Sequence, residues 1–138
     1  MRSLCADDGL IAALGRAGAT QIAIGGPSGS AALEVGLAVR RANVRPVLHL
    51  GCNASRDGTA AYLQRALDAG ISDVLALPST ELQRDGEFPS VAELVRFVVA
   101  RFGGRVRVAV CGFPWGTAAE GSSSYEEGLA ALAEQART

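Results

Sequence analysis

Hydrophobic residues follow two different periods along this chain, and the two periods alternate. Short apolar runs bounded by Gly, Pro, Ser or Thr predict strands, whereas apolar residues spaced three or four apart predict helices. The predicted strands are "TQIAIGG", "RPVLHLGC", "DVLALPS" and "RVRVAVCGF". The predicted helices are "GLIAALGRAG", "SAALEVGLAVRRA", "TAAYLQRALDAG" (beginning at Ser55 or Asp57), "SVAELVRFVVARFGG" and "SYEEGLAALAEQA".

Helix and strand alternate four times with short connections, which is typical of a parallel sheet covered by helices. We therefore expect an α/β fold, and the length of 138 residues suits a single domain over residues 1–138.

Composition and charge narrow the choice of partners. The formal net charge is -1, so nothing favours binding to nucleic acid or to a membrane surface. No apolar run approaches the ~18 residues that span a bilayer, and a cytoplasmic location is the default expectation. All 13 basic residues are arginine, which excludes a lysine nucleophile. The 3 cysteines are far apart and suggest neither a disulfide framework nor a zinc site.

The loops after the strands carry the candidate chemistry, because parallel α/β proteins collect their sites at the carboxyl ends of strands. Here these loops are "GGPSGS", "HLGC", "ALPST" and "CGFPWGT". The first could hold an anion at a helix start, but it contains neither a Walker loop nor a GxGxxG motif. A tight turn is the other interpretation.

The only histidine, His49, lies near the end of the second predicted strand. Side chains alternate across a strand, so His49 points away from the face that carries Leu48 and Leu50. In an open sheet such a histidine is usually a satisfied core residue, whereas in a barrel it points towards the axis. Trp115 is equally suited to an interface or to stacking on a planar ligand.

Taken together, the four strand ends resemble the methylenetetrahydrofolate reductases, FAD enzymes built as a (βα)8 (TIM) barrel. That family has a Gly/Ser-rich turn, then "HLTC", "ALRGD" and "GYPxGHPE" in this order. The corresponding segments here are "GGPSGS", "HLGC", "ALPST" and "GFPWGTAA", within residues 10–129.

The resemblance implies a set of flavin-binding positions. His49 would lie beside the flavin, the backbone near Ala76 and Leu77 would line it, and Phe113 replaces a tyrosine that contacts it. The full set of implied cofactor-binding residues is Gly25, Gly26, His49, Ala76, Leu77, Pro78, Gly112 and Phe113.

Departures from the family pattern weigh against catalysis. Pro78, Ser79 and Thr80 stand where the family has Arg-Gly-Asp, so Thr80 replaces an aspartate that tunes flavin and folate. The family's first strand, with its catalytic glutamate, and its last three strands have no counterpart. The chain therefore corresponds to strands two to five, half of a barrel.

We expect a methylenetetrahydrofolate reductase-like protein of folate one-carbon metabolism that is inactive by itself. Its open edges and apolar inner face predict self-association or another protein subunit. The alternatives for function are an active FAD-dependent reductase that uses NAD(P)H and a folate, a catalytically silent subunit of a larger assembly, or an unrelated small α/β phosphate- or nucleotide-binding domain. The alternative for the fold is an open flavodoxin-like sheet. No catalytic residue is assigned and no metal site is expected.

Overall fold

The computed structural model describes residues 8–26, 29–78 and 86–111, together with 130, 133–134 and 136–137. Helices and strands alternate in the predicted order. The elements are α1 (Asp8–Arg16), β1 (Gln21–Ile24), α2 (Ser30–Arg41), β2 (Arg45–Gly51), α3 (Arg56–Asp68), β3 (Asp73–Leu77), α4 (Val91–Phe102), a 3-10 turn (Gly103–Arg105) and β4 (Arg107–Val110). Most of the predicted last helix lies outside the described residues.

Side-chain caps decide where two of the helices begin. Ser55 precedes α3, and its hydroxyl accepts a hydrogen bond of 3.0 Å from the backbone N–H of Gly58. Ser90 precedes α4 and accepts from the N–H of Glu93 at 3.2 Å. Each cap satisfies a helix N–H that has no partner within the helix. The prediction that α3 begins at Ser55 is confirmed.

The four strands form one parallel sheet in the order β1-β2-β3-β4. Every strand lies beside the next one along the chain, so each crossover moves in the same direction. A flavodoxin-like sheet reverses direction after its first strand and has the order 2-1-3-4-5. The sheet is open, but its strand order is that of a barrel segment and not of the flavodoxin-like alternative.

The helices cover one face of this sheet. Leu48 and Leu50 in β2 are both 0% exposed, and Val74 and Ala76 in β3 are buried with them. These side chains share one core cluster with helix residues, among them Val39, Leu63, Leu94 and Val98. Burying a leucine contributes about 1.5–3 kcal/mol, so this face supplies much of the stability.

The opposite face of the sheet, which we call the open face, carries exposed or half-buried side chains. It consists of Gln21, Ala23, Arg45, Val47, His49, Asp73, Leu75, Leu77, Arg107 and Ala109. Glu134 lies on the helix side, because it accepts a hydrogen bond of 3.0 Å from Arg96 in α4. The burial of Leu48 and Leu50 on either side of half-buried His49 confirms the alternation predicted around His49.

Two buried hydroxyls in α3, Thr59 Oγ1 and Tyr62 OH, have no hydrogen-bond partner among the described residues. The Tyr62 side chain is 2% exposed, and this burial raises the pKa of its phenol. An unpaired buried hydroxyl costs more than an apolar group of the same shape.

We expect Tyr62→Phe to raise the free energy of unfolding by about 1 kcal/mol, measured by urea denaturation at pH 7. The unfolded chain ionises Tyr62 first, because the folded pKa is the higher of the two. The wild-type protein should therefore lose stability faster than the variant as the pH rises above about 10. A less stable Tyr62→Phe protein would show that the hydroxyl has a partner.

Candidate functional site

His49 is half-buried on the open face near the carboxyl end of β2. Its neighbour in the ladder with β3 is Leu75. On the other side, beyond the end of β1, lies Gly25. A Cβ atom at Gly25 would be 3.4 Å from both Cε1 and Nδ1 of the His49 ring. The absence of a side chain at Gly25 thus leaves one edge of the imidazole uncovered by β1.

Gly26 continues this loop with a φ of +113°. Side chains rarely tolerate that conformation, so a glycine is required for the turn that leaves β1. The two glycines together bring bare backbone to the rim of the open face beside His49.

The end of β3 supplies the next part of the same rim. Leu77 and Pro78 are half-buried, and the carbonyl of Leu77 accepts a hydrogen bond of 3.2 Å from the N–H of Cys52. Ala76 is 1% exposed and its side chain faces the helices. Only the backbone of Ala76 is available to the open face, and the backbone role of Ala76 towards a flavin stays a prediction.

The structure therefore places five of the predicted site residues at the carboxyl end of the sheet: Gly25, Gly26, His49, Leu77 and Pro78. Gly112 and Phe113 lie outside the described residues, as do Ser79 and Thr80.

A contact that sequence reasoning missed braces this end of the sheet. The backbone N–H of Arg56 donates to Glu87 Oε2 at 2.6 Å, so a carboxylate from the β3–α4 connection caps α3. The Arg56 guanidinium lies 5.1 Å from the centre of the Phe88 ring and 5.5 Å from that of Phe97. The only hint in the sequence is a glutamate beside an aromatic residue in "DGEFP". This brace holds Glu87 and Phe88, which precede α4, against the start of α3.

Charged residues are distributed unevenly along the strands of the open face. Asp73 and Arg107 form an ion pair of 2.7 Å at its amino end. A cavity of about 240 Å³ begins there and is lined further along by Ala23, Val47 and Leu75. Among the described residues of the open face, none at the carboxyl end is a carboxylate.

In the described part of the chain, no group of three or more His, Cys, Asp or Glu residues could hold a metal ion. No helix there is long and apolar enough to cross a membrane.

The family model for methylenetetrahydrofolate reductase matches residues 19–137. The chain belongs to the methylenetetrahydrofolate reductase family. A search of curated proteins finds no match. The family match includes every strand of the sheet and confirms the resemblance drawn from the four strand-end motifs. This match rules out the alternative of an unrelated phosphate- or nucleotide-binding domain. The sequential parallel strand order agrees with membership in a family of (βα)8 barrels.

The two glycines beside His49 should respond differently to substitution. Gly25→Ala should change the free energy of unfolding by less than about 0.5 kcal/mol, because its new Cβ makes an ordinary contact with the imidazole. Gly26→Ala should cost about 1–2 kcal/mol, because alanine must adopt a positive φ. Chemical denaturation of both variants tests this, and equal costs would contradict the loop geometry.

Proposed function

We propose that this protein is a methylenetetrahydrofolate reductase-family subunit that retains part of the flavin-binding wall and is catalytically silent by itself. The observation that carries the proposal is the carboxyl end of the open face. It holds His49 between bare glycine backbone and apolar side chains, and its described residues include no carboxylate.

A flavin ring suits the residues at this end. The ring is flat and mostly apolar, with polar atoms along its edge. Leu75 and Leu77 offer an apolar surface, and Gly25 leaves space beside the imidazole. The His49 ring would hydrogen-bond an edge atom of the cofactor, while the backbone near Leu77 and Pro78 would orient it. When bound, FAD would supply hydride transfer between a nicotinamide and a folate one-carbon unit.

The loss of a carboxylate supports catalytic silence. Thr80 stands where the family has aspartate, and a threonine hydroxyl carries no charge at neutral pH. The carboxylate on the described open face is Asp73, which is ion-paired with Arg107. Asp73 lies opposite Val47 in the ladder, two residues before His49, and the Arg107 guanidinium holds its carboxylate at 2.7 Å at the amino end of the face.

The open face also supports an association with another copy of this chain or with another subunit. Parallel sheets are normally covered on both faces. Here β1 and β4 each have one neighbour in the sheet, so each leaves one edge unpaired within the described residues. An added layer would cover Val47 and Leu75 and would complete a wall around the flavin position, where a folate would also bind.

The flavin part of the proposal is tested by titrating FAD into the purified chain and following flavin fluorescence. His49→Ala should weaken FAD binding about tenfold, the loss of one good hydrogen bond, while changing the unfolding free energy by less than about 0.5 kcal/mol. Gln21→Ala is the matched control, since it removes a polar side chain from the amino end of the same face. Equal losses of affinity and stability in His49→Ala would make His49 a packing residue.

The proposed lack of catalytic activity is tested by measuring turnover with FAD, NAD(P)H and methylenetetrahydrofolate. We expect no turnover above that of free FAD, because Thr80 replaces the family's aspartate and the described carboxyl end of the open face holds no carboxylate. Protein-dependent turnover would contradict the proposed lack of catalytic activity.

Self-association is tested by light scattering on the same sample, which should give a mass above the 14.1 kDa of one chain. A mass of one chain at every concentration would remove self-association from the proposal.

A further inference from the structure

A second candidate site lies at the amino end of the sheet, opposite the His49 end. A cavity of about 200 Å³ opens there between the starts of β2, β3 and β4. Three of its lining residues are arginines, Arg40, Arg45 and Arg107, and Asp73 is its one carboxylate. The cavity therefore carries a formal charge of +2 (three minus one) in a chain whose net charge is -1.

The three arginines come from three different elements. Arg40 lies in the last turn of α2, Arg45 starts β2 and Arg107 starts β4. Parallel strands begin at the same edge of the sheet, so the topology brings residues distant in sequence to one place. The hydroxyl-bearing Ser72 and the backbone of Gly70 complete the wall between them.

Most donors of these guanidinium groups make no hydrogen bond to the part of the chain that the structure describes. Arg40 Nη1 donates to the carbonyl of Ala69 at 2.6 Å, which caps the end of α3. Arg107 Nη2 donates to Asp73 at 2.7 Å. Each guanidinium has five N–H groups, so both retain donors for a ligand. Within the described ranges, the Arg45 side chain makes no ion pair or hydrogen bond.

Capping of helix ends explains one bond of Arg40 but not the arrangement as a whole. A cation near the end of α3 favours the helix dipole, and one arginine is enough for that. Arg45 belongs to a strand and caps no helix. Three guanidiniums that share one cavity repel each other, and the one carboxylate that lines it, Asp73, offsets a single positive charge.

We propose that this cavity binds a phosphoryl group. Guanidinium pairs phosphate oxygens through two parallel N–H bonds, and two or three such groups around one cavity suit a dianion better than a single carboxylate. The ligand class is a small compound with one or two phosphoryl groups. The site is separate from the flavin position, because Arg45 precedes His49 by four residues, about 13 Å along β2.

The proposal is tested by calorimetric titration of inorganic pyrophosphate at constant ionic strength, with inorganic phosphate and ADP as further arms. Arg45→Ala should weaken pyrophosphate binding about tenfold, and Arg45→Lys should recover part of that loss through its charge. Arg101→Ala is the matched control. It removes the same charge from the last turn of α4, and Arg101 does not line the cavity. The control should change the affinity by less than about twofold.

Two results would overturn the assignment. The first is the absence of saturable binding by the wild-type protein. The second is an equal loss of affinity in Arg45→Ala and Arg101→Ala, which would show attraction by overall charge. Circular dichroism of each variant distinguishes a loss of folding from a loss of binding. Because Arg45 is exposed, its replacement should leave the fold intact. Tighter binding of ADP than of pyrophosphate would identify the ligand as a nucleotide, and the reverse would identify it as a small phosphate compound.

Discussion

The alternation of side chains along β2 is the constraint on which the rest of the structure depends. Leu48 and Leu50 must both lie under the helices, because together they form the centre of the buried face. With a period of two, His49 then lies on the other face. A shift of one residue would bury the imidazole and expose both leucines, so the core enforces the position of the candidate site.

Strand order extends this constraint to the whole sheet. Because β1 to β4 are adjacent in sequence order and parallel, right-handed crossovers place their helices on the same side. The opposite face carries exposed or half-buried side chains. Strand polarity then divides that face into two ends. The glycine loop and His49 lie at the carboxyl end, whereas Asp73 and the arginines lie at the amino end.

Local signals predicted the elements and the orientation of His49, since they act over a few residues. The Ser55 cap and the turn at Gly70, with a φ of +74°, are of this kind. The sequence could not decide between a barrel segment and a flavodoxin-like sheet, because both use the same local units and differ only in which strands pair. The family match and the strand order decided it.

Long-range contacts of the site were also beyond sequence reasoning. The bond between Arg56 and Glu87 joins residues 31 positions apart, and no local pattern announces it. The cavity with Arg40, Arg45 and Arg107 has the same origin, because it forms only when separate elements start at one edge. By contrast, the chemistry of the strand-end loops was visible early, since glycine and proline mark where backbone is exposed.

Nuclear Overhauser contacts of the His49 ring would test the central claim most directly, since they report which face of the sheet carries the imidazole. The ring protons should show contacts to the α-protons of Gly25 and to the side chain of Leu75, and none to Leu63 in the helix layer. Contacts between His49 and Leu63, or α-proton contacts that require β2 and β3 to be antiparallel, would contradict the account.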